Sequence, residues 1–301
     1  MTHPMRVFDR RSVRLHRDRA APLLGNHDFL LREVGERLLD RLDDVRRRFA
    51  DVLDLGCRRG ELTPALSGRN GVRMIVQCDL SEVMVRSATG LRVVCDEEAL
   101  PFRDSSFDLV TSLLSLHWVN DLPGSLLQIR RALRPDGLLL AALLGGETLK
   151  ELRRSLADAE LAVEGGFSPR VSPFADVRDM GNLLQRAGFA LPVVDSDTIT
   201  VSYGDPLGLF ADLRGMGEAN AVLERRKSVS RRGTLFDALR RYRDRHGDAD
   251  GRIAATFQVI YLAAWAPDAT QPRPLRPGGA QTRLADILGS EEIPAGDRAR
   301  P

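Results

Sequence analysis

The chain has 301 residues, of which 43% are hydrophobic and 29% charged, a mixture that excludes collagen-like, low-complexity and mostly disordered proteins. Its net charge is +2, well short of the polybasic footprint of a nucleic-acid binder, and only Lys150 and Lys227 are lysines, so that 42 of its 44 basic residues are arginine. The longest unbroken aliphatic run, Leu138 to Leu144, is far shorter than the ~20 residues that cross a bilayer, so no transmembrane segment is expected.

The first 24 residues are arginine-rich, but they include Asp9 and Asp18 and lack an apolar targeting core, and they read as part of the protein. From Phe29 to Phe49, Leu31, Val34, Leu38, Leu42 and Val45 recur at spacings of three and four, which predicts a helix with one buried stripe. Asp51 to Leu55 then reads as a strand ending at Gly56, and Glu61 to Leu66 as the start of a helix. Further strands are expected at Arg73 to Cys78, Leu91 to Val94, Phe107 to Leu114 and Leu138 to Leu144, with helical segments between most of them. Such alternation implies a parallel sheet covered on both faces.

Thr148 followed by Glu151 has the spacing of a capping box, ahead of the helical stripe Leu149, Leu152, Leu156, Ala159 and Val163. Residues Gly165 to Pro173 stop that helix. A short helix is expected from Val177 to Ala187, with Gly188 in the left-handed position that follows a helix end. Leu191 to Tyr203 reads as a strand, Pro206 to Arg245 as helical, and Ile253 to Trp265 as the last strand. The domain expectation is therefore an N-terminal helical segment (1–50), a core (51–203), a helical lid with the last strand (204–266), and a mobile tail (267–301) too polar to offset its ordering entropy.

The strongest chemical signal is VLDLGCRRG, Val52 to Gly60, where the first strand meets the first following helix. A glycine turn there lets a ligand approach the main chain at a helix N-terminus. Asp79 closes the second strand, 19 residues after Gly60, where a carboxylate can take both hydroxyls of a ribose. Asp96 and Glu97 close the third, where an acidic side chain can accept an adenine amine. The plainer reading is that such residues simply favour strand-to-loop positions.

This set resembles the class I S-adenosylmethionine-dependent methyltransferase fold, from about Val52 to Gly145. The stretch DEEALPFRDSSFDLVTSLLSLHWV is similar to that fold's adenine loop and fourth strand, and LRPDGLLL to the turn into its fifth. The resemblance implies an α/β, Rossmann-like, seven-stranded, mostly parallel sheet with a helical insertion, and S-adenosyl-L-methionine as cofactor. It also implies a cofactor site of Asp54, Gly56, Cys57, Gly60, Asp79, Leu80, Asp96 and Glu97. VFDR (Val7 to Arg10), SLHWVNDLPGSL, LLGGETLKELRRSLADAE, EGGFSPRVSPF, LLQRAGF and LRGMGEAN narrow it further. They look like the respiratory complex I assembly factors of methyltransferase fold that hydroxylate an arginine of a complex I subunit. SLHWVNDLP is equally similar to the malonyl-carrier-protein methyltransferases of biotin synthesis, whereas EGGFSP and MGEAN favour the assembly factors. The implied enzyme acts on a protein side chain, by methyl transfer or arginine hydroxylation, with a complex I subunit as partner. The alternatives are a non-catalytic assembly chaperone and a malonyl-carrier-protein or small-molecule O-methyltransferase. The match at VFDR, so near residue 1, leaves no room for a targeting segment, as in a bacterial, cytoplasmic version.

The turn of that family reads DLGCGxG, and here Arg58 stands at its second glycine. At positive φ an arginine adds about 1 kcal/mol of strain, and its side chain could cover the site, point outward, or pair with the methionine carboxylate. His117 and Trp118, after the fourth strand, are substrate-pocket candidates, with lining favoured over catalysis because no acidic or metal-binding partner is evident. The three cysteines, Cys57, Cys78 and Cys95, have no CxxC spacing and read as small buried residues of a reducing compartment. Asp158, Glu160, Glu164, Glu218 and His246 could ligate a metal but read as ordinary helix surface. No catalytic residue is assigned and no metal site is expected.

Overall fold

The structure is a computed structural model that describes residues 6–272, 282 and 284–290. The chain forms two compact units, 1–267 and 268–301. In the first, seven strands form one sheet in the order β3-β2-β1-β4-β5-β7-β6. They are β1 (Asp51–Leu55), β2 (Met74–Asp79), β3 (Leu91–Val94), β4 (Phe107–Leu113), β5 (Leu133–Leu144), β6 (Ala190–Tyr203) and β7 (Ile253–Trp265). The first five are parallel, and β7 inserts antiparallel between β5 and β6.

Strand periodicity builds the two cores. Leu138, Leu140, Ala142 and Leu144 of β5 enter one apolar layer with Val52, Leu109 and Phe257, while Leu139, Ala141 and Leu143 enter the other with Leu53, Val110 and Leu262. A strand sends alternate side chains to opposite faces, so both layers are filled from the same segments. Helix α2 (Phe29–Asp43) buries Leu31, Val34, Leu38 and Leu42 in the first layer. Helices α5 (Leu122–Ala132) and α7 (Val177–Arg186) supply Leu126, Ile129, Met180 and Leu184 to the second. The remaining helices of this unit are α1 (Arg10–Ala20), α3 (Thr63–Leu66), α4 (Glu82–Ser87), α6 (Lys150–Glu164), α8 (Pro206–Gly215) and α9 (Arg232–His246).

Several expectations need correction. The first periodic helix ends at Asp43 rather than Phe49. Residues 206–245 are not one helical stretch, because α8 and α9 are separated by an irregular segment. The capping box does not form: Leu149 occupies the cap at φ +54° without a side-chain cap bond, Thr148 Oγ1 donates to the carbonyl of Gln258, and Glu151 instead accepts from Thr256. Helix α1 falls in the N-terminal segment expected to be helical, where the periodicity sets no bounds before Phe29, and Asp9 caps it by accepting from the Ser12 amide. Most of the proposed tail (267–301) lies outside the described residues. Within them, the second unit contributes one short helix, α10 (Leu284–Leu288). Among the described residues no helix is long and apolar enough to cross a membrane.

Candidate functional site

Strand order reverses at β1 and β4, which creates a crevice beyond the carboxyl ends of β1, β2 and β4, the usual ligand position in open α/β sheets. The glycine turn leaves β1 there. Gly56 (φ +71°), Arg58 (φ +54°) and Gly60 (φ +88°) all take left-handed backbone angles. The amides of Gly56 and Cys57 both donate to the carbonyl of Cys78, fastening the turn to β2. A Cβ on Gly56 would lie 2.1 Å from Ser115 Oγ and 2.3 Å from Ser115 Cβ, so glycine is required there on steric as well as torsional grounds, while at Gly60 the requirement is the left-handed backbone.

The acidic residues expected at the strand ends converge here. Asp79 is fully buried and accepts from the Ser81 amide at 2.8 Å, the Arg58 amide at 3.0 Å and Arg17 Nη1 at 3.1 Å. Glu97, also fully buried, accepts from Arg17 Nη1 at 2.9 Å, from Ser115 Oγ at 2.6 Å and from Arg10. Burial alone would raise its pKa, but Arg17 and Arg10 outweigh that and hold it far below the ordinary glutamate range. Asp96 stays at the rim, paired with Arg10, so Glu97 is the acid that points into the crevice. Leu80 packs with Phe8, Val13 and Trp118. Asp54 accepts from Thr111 Oγ1 at 3.1 Å, while its other oxygen is buried without a partner. Burial lifts its pKa to about 7.

Sequence reasoning missed the two arginines that answer these acids. Arg10 and Arg17 are seven residues apart on α1 and so share one helix face, which lies across the strand ends. Arg17 has no exposed surface, and its Nη2 donates to Ser115 Oγ at 2.8 Å. The preceding residues are clipped in place: the amides of Val7 and Phe8 donate to Asn120 Oδ1, and Phe8 bridges to Val222.

Arg58 does not point outward into solvent, being only 2% exposed. It turns beneath the segment after α8, where its guanidinium donates to the carbonyls of Met216 (2.6 Å) and Leu114 (3.0 Å) and pairs with Glu218. Glu218 also accepts from His117 Nε2 and Trp118 Nε1, each at 2.9 Å. It is therefore a buried hub rather than helix surface. Burial opposes its charge, but His117 and Arg58 bring its pKa down to about 2. His117 and Trp118 line none of the described cavities; they support Glu218, which does. That cavity, about 290 Å³, has apolar walls that include Leu149, Leu152, Phe174, Phe210 and Leu213.

Cys57, Cys78 and Cys95 are free and buried. Burial raises the Cys57 thiol, and a hydrogen bond with Cys95 together with burial raises Cys78, so none of this favours a reactive thiolate. Asp158 pairs with Arg245, Glu160 with Arg170, and Glu164 with Arg226. Among the described residues no group of three or more His, Cys, Asp or Glu side chains is arranged to hold a metal ion.

Residues 53–141 match the methyltransferase domain family. The chain is 43% identical to the Arginine-hydroxylase NDUFAF5, mitochondrial, of Danio rerio over 290 residues, which cover 94% of this chain and 90% of that protein. The chain belongs to the NDUFAF5 family. It is also 36% identical to a Malonyl-[acyl-carrier protein] O-methyltransferase of Methylovorus, over 89% of this chain and 93% of the relative. A Bacillus halodurans crystal structure shares the fold, with a TM-score of 0.54 at 17% identity, over 78% of this chain and 99% of that one. The class I methyltransferase architecture of a seven-stranded, mostly parallel sheet is thus established from both the topology and the relatives.

The acceptor set at the strand ends suits the nucleoside that this fold implies. Asp79 and Glu97 take N–H donors from Arg17 and are chemically able to accept hydroxyl or amine hydrogens instead, and Asp54 retains an unused oxygen. The residues fit such a group chemically, while the space beside them is held by Arg17.

Proposed function

We propose that this chain is an S-adenosylmethionine-binding enzyme of respiratory complex I assembly that modifies a protein side chain, with arginine hydroxylation as the first candidate modification. The observation that carries the proposal is the 43% identity to an arginine hydroxylase along nearly the full length of both chains. Asp79 and Glu97 would hold the ribose and adenine, and Asp54, with the turn at Gly56 and Gly60, the methionyl end. When bound, the cofactor would supply an electrophilic sulfonium methyl, which serves methyl transfer; hydroxylation of an arginine would instead draw its oxygen atom from dioxygen and two electrons from an external reductant, neither of which the sulfonium provides. This chain's own residues bind, orient and exclude water. The apolar cavity beside Glu218 is the proposed seat of the substrate segment, with Glu218 held rigid by Arg58, His117 and Trp118. His117 is a positioning residue in this scheme.

The proposed partner is a complex I subunit, met at the face of the inner membrane where assembly takes place, cytoplasmic in a bacterium. The internal pairing of Arg17 with Asp79 and Glu97 favours a second reading, a non-catalytic assembly chaperone. The Methylovorus relative supports a third, a carrier-protein O-methyltransferase. Mass spectrometry of complex I subunits co-expressed with the chain separates them. A gain of about 16 Da on an arginine supports hydroxylation and one of about 14 Da methylation. Unchanged subunits, with the chain still co-purifying, support the chaperone.

A further inference from the structure

We infer that Arg17 is a tethered internal ligand of the crevice, and that α1 is a latch which must release it before a nucleoside can reach Asp79 and Glu97. The inference rests on the S-adenosylmethionine reading above.

Three observations converge. First, the guanidinium of Arg17 takes up the inward acids at the ends of β2 and β3 together with Ser115, whose Oγ lies against Gly56. Arg17 is fully buried, and none of the described cavities is lined by Gly56, Asp79 or Glu97, so a nucleoside and this side chain compete for the same acceptors and the same space. Second, α1 is weakly anchored by apolar contact. It buries only Ser12, Val13, Arg17 and Ala20, whereas α2 buries seven residues, six of them apolar. An element held mainly by ion pairs and few apolar contacts belongs to the low-stability end of a fold. Third, the middle of the latch is held differently from its ends. Residues 7–9 are clipped by Asn120, by the Phe8–Val222 bridge and by the Asp9 amide donating to Ala221, none of which involves the crevice. Arg17 itself is held at the crevice by the very acids the ligand would use, while Arg10 beside the clip shares Glu97, Ser81 Oγ donates to Asp18, and Ala20, Ala21 and Leu24 anchor the far end in the core. The middle of α1 can therefore loosen while both ends keep it attached, so Arg17 sets the cofactor's apparent affinity by competing with it.

Calorimetric titration of S-adenosylmethionine into the full chain and into Arg17→Gln and Arg17→Lys tests this. Arg17→Gln, which cannot form the ion pairs, is expected to bind at least tenfold more tightly than the wild type, with Arg17→Lys in between. In case Arg17→Gln does not fold, hydrogen exchange of the wild type with saturating S-adenosylmethionine gives an independent answer. Amides 14–20 should exchange faster with ligand and those of residues 7–9 should not change. Weaker or equal binding by Arg17→Gln, or slower exchange at 14–20, overturns the latch and leaves the cofactor reading standing. Absence of binding in all three proteins overturns both.

Discussion

Arg17 and Asp79, 62 residues apart in sequence, meet at 3.1 Å with neither side chain more than 1% exposed. A pair this deeply buried contributes little net stability when intact, but removing one partner strands the other charge at a cost of about 3–5 kcal/mol. Arg17→Met, which removes the guanidinium that Asp79 pairs with, should destabilise the fold by that order, as read from urea midpoints. Asp79→Asn should cost less, because Arg17 still pairs with Glu97. The double variant should lose clearly less than the sum, because Asp79 is then not left charged without that partner. A loss below ~1 kcal/mol in Arg17→Met would contradict the geometry.

Arg58 is the departure in the glycine turn, and two opposed terms decide what restoring glycine would do. Relief of the φ +54° backbone returns about 1 kcal/mol, most of which is cancelled by glycine's greater unfolded-state entropy. Against this stand the loss of the charged hydrogen bond to Glu218, worth about 1.5–3 kcal/mol, and of the donors to the Met216 and Leu114 carbonyls. Arg58→Gly is therefore expected to destabilise by at least about 2 kcal/mol. Arg58→Gly combined with Glu218→Gln should recover part of that loss, and a plainly stabilised single variant would show that strain dominates.

The layered sheet was legible because a period of two and a period of three to four alternate along the chain, and the strand-end acids at Asp79 and Glu97 stood where a βαβ unit places them. The latch was not legible for a compositional reason. With 42 of 44 basic residues arginine, the two that matter, Arg10 and Arg17, looked like the solvated arginines around them. Only their seven-residue spacing on one helix face distinguishes them. Glu218 was misread for a related reason: its partners Arg58, His117 and Trp118 lie 100 to 160 residues away, and no local pattern reports such a contact.

Asp54 and Glu218 should give opposite pH signatures. The folded pKa of Asp54, about 7, lies above its ordinary value of 3.8, so the folded state holds the proton more tightly and stability falls as pH rises from about 4 through 7. The full penalty, on the order of 4 kcal/mol, is present above that range. Asp54→Asn should therefore gain stability relative to the wild type as pH increases from 4 to 8. A difference that does not change with pH would contradict the buried, half-partnered carboxyl.

For Glu218 the folded pKa of about 2 lies below its ordinary 4.5, so its contribution is fully present above 4.5 and is lost as pH falls through 2. Glu218→Gln should be less stable than the wild type by about 3 kcal/mol at pH 7, and the gap should close toward pH 2. Fluorescence of Trp118, whose indole N–H donates to this carboxylate, offers a local readout of the same transition. A gap that persists unchanged at pH 2 would mean that Glu218 is not charge-paired in the folded protein.

The proposed reaction is modification of an arginine of a complex I subunit, with the cofactor held in the crevice at Asp79 and Glu97. The most direct test is peptide mass analysis of complex I purified from cells that carry the chain, lack it, or carry its Asp79→Asn variant. One arginine peptide should be about 16 Da heavier only where the wild-type chain is present, and largely unshifted with Asp79→Asn. Arginine peptides of identical mass in all three preparations would contradict the claim.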